Sequence, residues 1–320
     1  MEISPSVYEH AAAFLGRTPW EVSRDARLLF EAHRAAYAYY RQQPVMPGID
    51  IYNLEPEAYG ATVVPPSESG IPAIGRPPYA STADLLRLPP LNPLTDGRIP
   101  MLIDVGRRLA QRFPEADIRV PLSGPFSIAS NLIGAEALLI DVALEPQRTT
   151  DALMHLVDGQ VAFAEEVRGA GLDVAFFESS ACPPLLSAES FRRVELPALK
   201  EAMRRISQVA GHPIPCIIGG DTEPIVDAML ETGTGYLICP SETDQPKFMR
   251  KVWDRIDVRI RINMDPGVLS RGTWEQIQQE ADRVIGLVAG RPNVCIGTGT
   301  LPYEASPEHV KRLMEYVKTV

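Results

Sequence analysis

Cysteine is scarce in this 320-residue chain, and Cys182, Cys216, Cys239 and Cys295 stand far apart with no C-x-x-C pair among them. That spacing argues against a disulfide framework; free thiols packed as small hydrophobes are expected instead. No apolar run approaches the roughly 20 residues that a membrane helix needs. The opening MEISPSVYEH lacks the charged-then-apolar form of a secretory leader, so a cytoplasmic location is expected. Basic residues are in the minority, 31 Lys and Arg against 41 Asp and Glu for a net charge of −10, and they form no stripe. A nucleic-acid partner, which needs clustered cations, is therefore not expected. Also missing is a G-x-G-x-x-G phosphate loop; GTGTLP at 297–302 is only superficially similar.

What is present is regular. Apolar runs that read as strands alternate with amphipathic stretches that read as helices, a pattern that implies parallel strands with right-handed crossovers. Residues 1–45 read as helical, with Thr18, Pro19 and Glu21 resembling a capping box. A strand feeding a short helix is expected at 48–60 (GIDIYNLEPEAYG), and a Pro/Gly-rich excursion at 63–100, hairpin or loop, forms a candidate lid. Helices follow at 99–112 and 146–170, and strands at 118–122 and 172–178, the latter running into Ser179 and Ser180. The stretch 215–229, PCIIGGDTEPIVDAM, is strand, glycine turn and helix, with Pro224 suited to the first helical turn. Further strands at 235–239, 258–262 and 293–297 and helices from 244, at 274–289 and at 306–317 complete about seven strand candidates, with one unassigned. At this length the favoured arrangement is an α/β fold, a (β/α)8 TIM barrel with an N-terminal helical extension, forming a single domain over 1–320. A doubly wound open sheet is the runner-up.

Four motifs carry a resemblance. GGDT at 219–222 is similar to the HxCGDT of the uroporphyrinogen decarboxylase and cobalamin-dependent methyltransferase superfamily, without its His and Cys. GPFSIAS at 124–130 resembles the superfamily's GPFTLAS, and NMDPG at 263–267 its GNxDP. In 181–200, ACPPLLSAESFRRVELPALK, the residues Ser187, Phe191, Leu196, Pro197 and Lys200 match PxxISPExFxxFVLPxLK. The decarboxylases' arginine motif, roughly RQAGRYLPEY, has no counterpart, since Arg34 and Arg41 lie on an ordinary helical face. The resemblance therefore points to the methyltransferase side.

It implies a methyltransferase or demethylase component that moves methyl between a small methylated compound and a corrinoid (cobalamin) carried on a partner protein. The family's zinc ligands fall at Ile217, Gly219 and Thr300, none of which can hold zinc, so no metal residue is expected. Cys216 has the opposite strand parity from Ile217 and Gly219, and His212 precedes the strand on the side away from a barrel's active face. Candidate catalytic residues are Glu178, Asp221 and Asn263; candidate cofactor-binding residues are Asp50, Ser123, Gly220, Thr298 and Thr300. Each has a structural reading beside the functional one: Glu178 as an ion-pair partner or helix cap, Asp50 as a cap or turn residue. Asp265 reads first as a turn former. Two other readings are a lyase acting on a different carboxylate, whose discriminator is a pocket cluster of Arg76, Arg98 and Arg261, and a corrinoid- or small-ligand-binding barrel without catalysis. A homodimer is compatible with any of these.

Overall fold

Short apolar runs closed by Ser, Gly or Asn become strands whose polar ends gather at one rim. The computed structural model describes residues 1–67, 69–179 and 181–320. Its strands, in chain order, are β1 (Ile3–Ser6), β2 (Val63–Val64), β3 (Ala73–Ile74), β4 (Arg119–Ser123), β5 (Asp173–Phe177), β6 (Pro215–Ile217), β7 (Tyr236–Cys239), β8 (Arg259–Asn263) and β9 (Val294–Thr300). β2 and β3 make a separate antiparallel pair. The other seven form one sheet in the order β1-β9-β8-β7-β6-β5-β4, parallel throughout.

The gap between β4 and β1 is closed by residues 43–46. Val45 bridges Ile118 in parallel, its N–H donating to Asp117 O at 2.8 Å and its carbonyl accepting from Arg119 N at 2.9 Å. On the other side, the Ser4 hydroxyl donates to Gln43 O at 2.6 Å. The fold is thus a (β/α)8-type barrel whose eighth stave is a single bridge. Pro44 and Pro47 flank that bridge and have no N–H to give to a ladder, which keeps it short.

The barrel accounts for two differences from the sequence reading. No strand forms at 48–60, where a 3-10 turn at Ile51–Asn53 runs into a helix at Leu54–Ala58; the stave lies at Val45 instead. The unassigned strand is β1, whose four residues ISPS read as a turn but pair along β9. The N-terminal helices follow it, at His10–Ala13, Pro19–Ser23 and Ala26–Tyr40, and Thr18 and Glu21 do form the capping box. The helix expected at 99–112 is found at Ile99–Arg112, where Pro100 sits in its first turn. No single helix among the described residues is long and apolar enough to cross a membrane.

Alternation along the staves divides the core. Ala175, Phe177, Ile217 and Ile238 point inward, in one cluster with Tyr8, Met46 and Ile51. Their neighbours Val174, Phe176, Cys216, Leu237 and Cys239 point outward and pack under the helices in the main core. Glu178, one residue past Phe177, also points outward. Its carboxylate accepts from Phe126 N at 3.1 Å and Ser127 N at 2.7 Å, and from the Ser127 hydroxyl, at the first turn of the Pro125–Ile133 helix. Gly124 permits this approach, since a Cβ there would lie 1.9 Å from Glu178 Oε2.

Beside Glu178 lies Glu195, fully buried at the end of a π-helical turn, Phe191–Glu195, with no described hydrogen-bond partner for either carboxyl oxygen. Burial pushes Glu178 up to about 7 against the Ser127 hydrogen bonds, and burial together with the Glu178 charge raises Glu195 well above the ordinary carboxylate range. A folded-state pKa above the unfolded value of about 4.3 contributes stability that is present below that value and lost as pH rises through the folded pKa. Glu195→Gln removes the ionisation. The variant should match or fall below the wild type at about pH 5 and melt a few degrees higher at about pH 8.5, as differential scanning calorimetry at both values will show; equal pH dependence would mean that the pair does not carry it.

Candidate active site

The inward residues at the carboxyl ends of the staves line a cavity of about 500 Å3. Ser6 and Tyr8 bring β1 to it, Phe177 and Ser179 bring β5, Ile217 and Gly219 β6, Ile238 and Pro240 β7, Arg261 and Asn263 β8, and Gly299 and Thr300 β9. Over this mouth lies the β2–β3 pair, whose residues Ile71, Pro72, Ala73 and Ile74 form one wall. Asn53 Nδ2 fastens that wall by donating to Pro72 O at 2.7 Å, and Ser69 donates to Glu304 across the rim. A polar-tipped cavity at this end of a barrel is where barrels bind ligands.

Of the eight residues singled out from sequence, Asp50, Asn263 and Thr300 line the cavity and the other five do not. Asp50 is 4% exposed and its carboxylate is already engaged: Arg98 reaches both oxygens at 2.7 Å, and Asn53 Nδ2 donates to one of them at 3.0 Å. Arg98 also pairs with Glu57 at 2.5 Å. Asn263 is buried with its Oδ1 unpartnered among the described residues, and it rests on Gly297, where a Cβ would lie 2.1 Å from that oxygen. Thr300 is exposed at the rim.

The other five have structural work. Glu178 faces the helices, as described. Asp221 accepts from the Thr243 hydroxyl at 2.9 Å behind the mouth. Ser123 is buried against Glu55, its N–H and hydroxyl donating at 2.7 and 2.8 Å; burial in turn pushes Glu55 up to about 7. Thr298 faces outward and accepts from Ser6 N at 3.1 Å. Gly220 turns the chain at φ 83°, and a Cβ there would meet Cys182 Sγ at 2.6 Å. Asp265 caps the Pro266–Arg271 helix through Gly267 N at 2.7 Å. Ser180 lies outside the described residues.

Ile217, Gly219 and Thr300, the three positions matched to zinc ligands, do come together in this cavity. Ile and Gly offer no donor atom and Thr offers a hydroxyl, so this set does not fit a zinc site built from imidazole and thiolate. Among the described residues no group of three or more His, Cys, Asp and Glu converges. Cys216 points away from the cavity, and His212 lies at the opposite end of its stave, 3.1 Å from Asp173.

Sequence reasoning missed Glu9. It follows β1 and Tyr8, lines the cavity, is 7% exposed, and burial reinforced by the Glu304 charge pushes its carboxyl up to about 7. A carboxyl in that range can give or take a proton near neutral pH. The signal was its place at a strand's carboxyl end, hidden while 1–45 was read as helix. Arg261 was noted only as one of three scattered arginines; it is the single cation lining the cavity among the described residues. Arg98 is consumed by its carboxylates, and Arg76 lies along a separate surface groove.

The family model described as uroporphyrinogen decarboxylase (URO-D) matches residues 5–320. The chain belongs to the uroporphyrinogen decarboxylase family. Two curated relatives share low identity with this family member. A methylated-thiol–coenzyme M methyltransferase of Methanosarcina mazei is 25% identical over 211 residues, 65% of this chain and 55% of the relative. A methylcobamide:CoM methyltransferase of Methanosarcina barkeri is 23% identical over 261 residues, 81% of this chain and 74% of that protein. The match thus spans about half the length of the first. A solved methyltransferase from Methanosarcina mazei superposes with a TM-score of 0.84 at 19% identity, covering 99% of this chain and 92% of its own, which establishes the fold.

The buried ion pairs behind this URO-D cavity set its stability. Asp50→Asn leaves the Arg98 guanidinium only partly neutralised and should cost about 3 kcal/mol. Urea denaturation measures this, and a loss below about 0.5 kcal/mol, within the range of an ordinary surface change, would show that Glu57 alone satisfies Arg98.

Proposed function

We propose that this chain is a methyltransferase or demethylase component that moves a methyl group between a small methylated compound held in the barrel mouth and a corrinoid carried by a partner protein. Family membership and the names of both curated relatives support the methyltransferase class. The observation that carries the choice over tetrapyrrole decarboxylation is the cavity's charge: one arginine among its described lining residues, beside Glu9, Asp50 and Glu242. A substrate with many carboxylates requires several cations there, and Arg76 and Arg98 do not supply them.

A cavity of about 500 Å3 is sized for a small molecule. The corrinoid would therefore lie over the rim, where Ile71 is 46% exposed and Glu242 and Thr300 are open. When bound, it supplies a cobalt centre that accepts and releases methyl. The chain's own part is to enclose the small compound between the apolar wall of Phe177, Ile217 and Ile238 and the β2–β3 cover, and to move one proton. Glu9 is the group for that proton: as carboxylate it takes it from an incoming thiol, as acid it returns it to a departing heteroatom. Asn263, with a free Oδ1, orients the compound.

The test is anaerobic turnover of methylcobalamin with mercaptopropionate, followed by visible absorbance. The wild type should consume methylcobalamin in proportion to enzyme, with a rate that rises as pH increases through about 7 while Glu9 deprotonates. Glu9→Gln should lower that rate about 100-fold and abolish the pH limb attributable to the enzyme. No enzyme-dependent change in the corrinoid spectrum would overturn the reading, and an unaltered rate in the variant would remove Glu9 from it.

A further inference from the structure

We propose that Arg261 is an anion receptor in the floor of the cavity, and that the small substrate carries a carboxylate or sulfonate at the end that enters first. The inference rests on the methyltransferase reading for the site's purpose, but its physical basis is independent of it.

Three arginines in the described structure are 9% exposed or less: Arg98, Arg261 and Arg291. Arg98 is neutralised by Asp50 and Glu57. Arg291 is satisfied by carbonyls, donating to Pro292, Asn293, Val252, Arg255 and Val258 at 2.9 to 3.3 Å. Arg261, at 4% exposure, has neither. It forms no ion pair with a described carboxylate, it makes no hydrogen bond to a carbonyl, and its Nε is buried without a partner. On the same face of β8, Arg259 takes Glu2 as its counter-ion, so the stave does not lack acids in general; it lacks one at this level.

What surrounds the guanidinium is polar but uncharged. Tyr236, Tyr8 and Cys295 face it, and burial raises the pKa of all three, so each is neutral at neutral pH. A buried guanidinium stays charged, and leaving it without a counter-ion is costly. The side chain has no retreat either. Its stem lies on Gly297, where a Cβ would stand 2.8 Å from Cδ and 2.9 Å from Cγ, and it lines both the mouth cavity and a smaller one of about 170 Å3 at the opposite end of the barrel.

Two further groups in the same cavity are buried and unpartnered: the Ser6 hydroxyl and Asn263 Oδ1. The Ser6 hydroxyl can donate to an oxyanion held by the guanidinium fork, which matches carboxylate and sulfonate oxygens in pairs, whereas Asn263 Oδ1 is an acceptor and takes no part in holding the anion. A ligand anion would supply the counter-charge that the fold omits and accept from the Arg261 guanidinium and the Ser6 hydroxyl together.

The experiment is isothermal titration of the full chain, without corrinoid, with methylthiopropionate, methylthiopropanesulfonate and the neutral methylthiopropanol. At least one acid should bind about 10- to 100-fold more tightly than the alcohol, the margin of a charge-assisted pair; which acid wins tells carboxylate from sulfonate. Arg261→Met should abolish that margin while leaving the alcohol's affinity unchanged, and Arg261→Lys should keep part of it. Equal binding of acids and alcohol to the wild type overturns the proposal even if Arg261→Met does not fold, and so does an acid preference that survives in that variant. Because no corrinoid is present, an acid preference with no methylcobalamin turnover would overturn the methyltransferase reading alone, and turnover without the preference would overturn the anion site alone.

Discussion

Alternation along parallel staves governs this molecule more than any single contact. Successive side chains on a strand face opposite sides, so once Phe177 is fixed inside the barrel, Glu178 must face the helices; once Ile217 lines the cavity, Cys216 cannot. The same rule puts Arg259, Arg261 and Asn263 on one inner face of β8, running from the far end of the barrel up to the mouth. Position follows from it: Asn263 lies nearest the mouth, Arg261 beneath it, and Arg259 at the far end with Glu2.

The sheet could be read in advance wherever its chemistry was local. The Ile99–Arg112 helix was found to the residue because Pro100 opens it, and β5 to β9 were found within one to three residues because each is a short apolar run between helices. What escaped was non-local. β1 is four residues with a central proline and becomes a strand only because β9 offers a long edge; Val45 becomes a stave only because Asp117 and Arg119 present a carbonyl and an amide to it. Neither partner is visible from the short segment. Glu9 was lost with β1, whereas Glu178 could have been placed by applying to β5 the parity argument used for Cys216.

Ile217, Gly219 and Thr300, the positions that the resemblance matches to zinc ligands, share the cavity without offering imidazole or thiolate donors. All three line the cavity, yet Ile adds an apolar wall, Gly leaves space and Thr brings a hydroxyl to the rim. On the proposed reading, chemistry at this mouth would fall to groups on other staves: a carboxyl after β1 whose burial moves it toward neutrality, and the inner face of β8.

Buried charge is handled here in three ways, and the difference separates structure from function. Asp50 and Arg98 neutralise each other, so that pair fastens the 48–58 segment to the helix start at Arg98 and has nothing left for a ligand. Glu178 and Glu195 cannot neutralise each other, and burial makes them retain a proton instead, which ties the fastening of β5 to pH. Arg261 can do neither, because a guanidinium holds its proton and no described carboxylate reaches it. A fold gains nothing in stability from such a residue, since an apolar side chain of similar volume would pack the barrel floor at lower cost. The physical reason to keep it there is a counter-charge that arrives from outside.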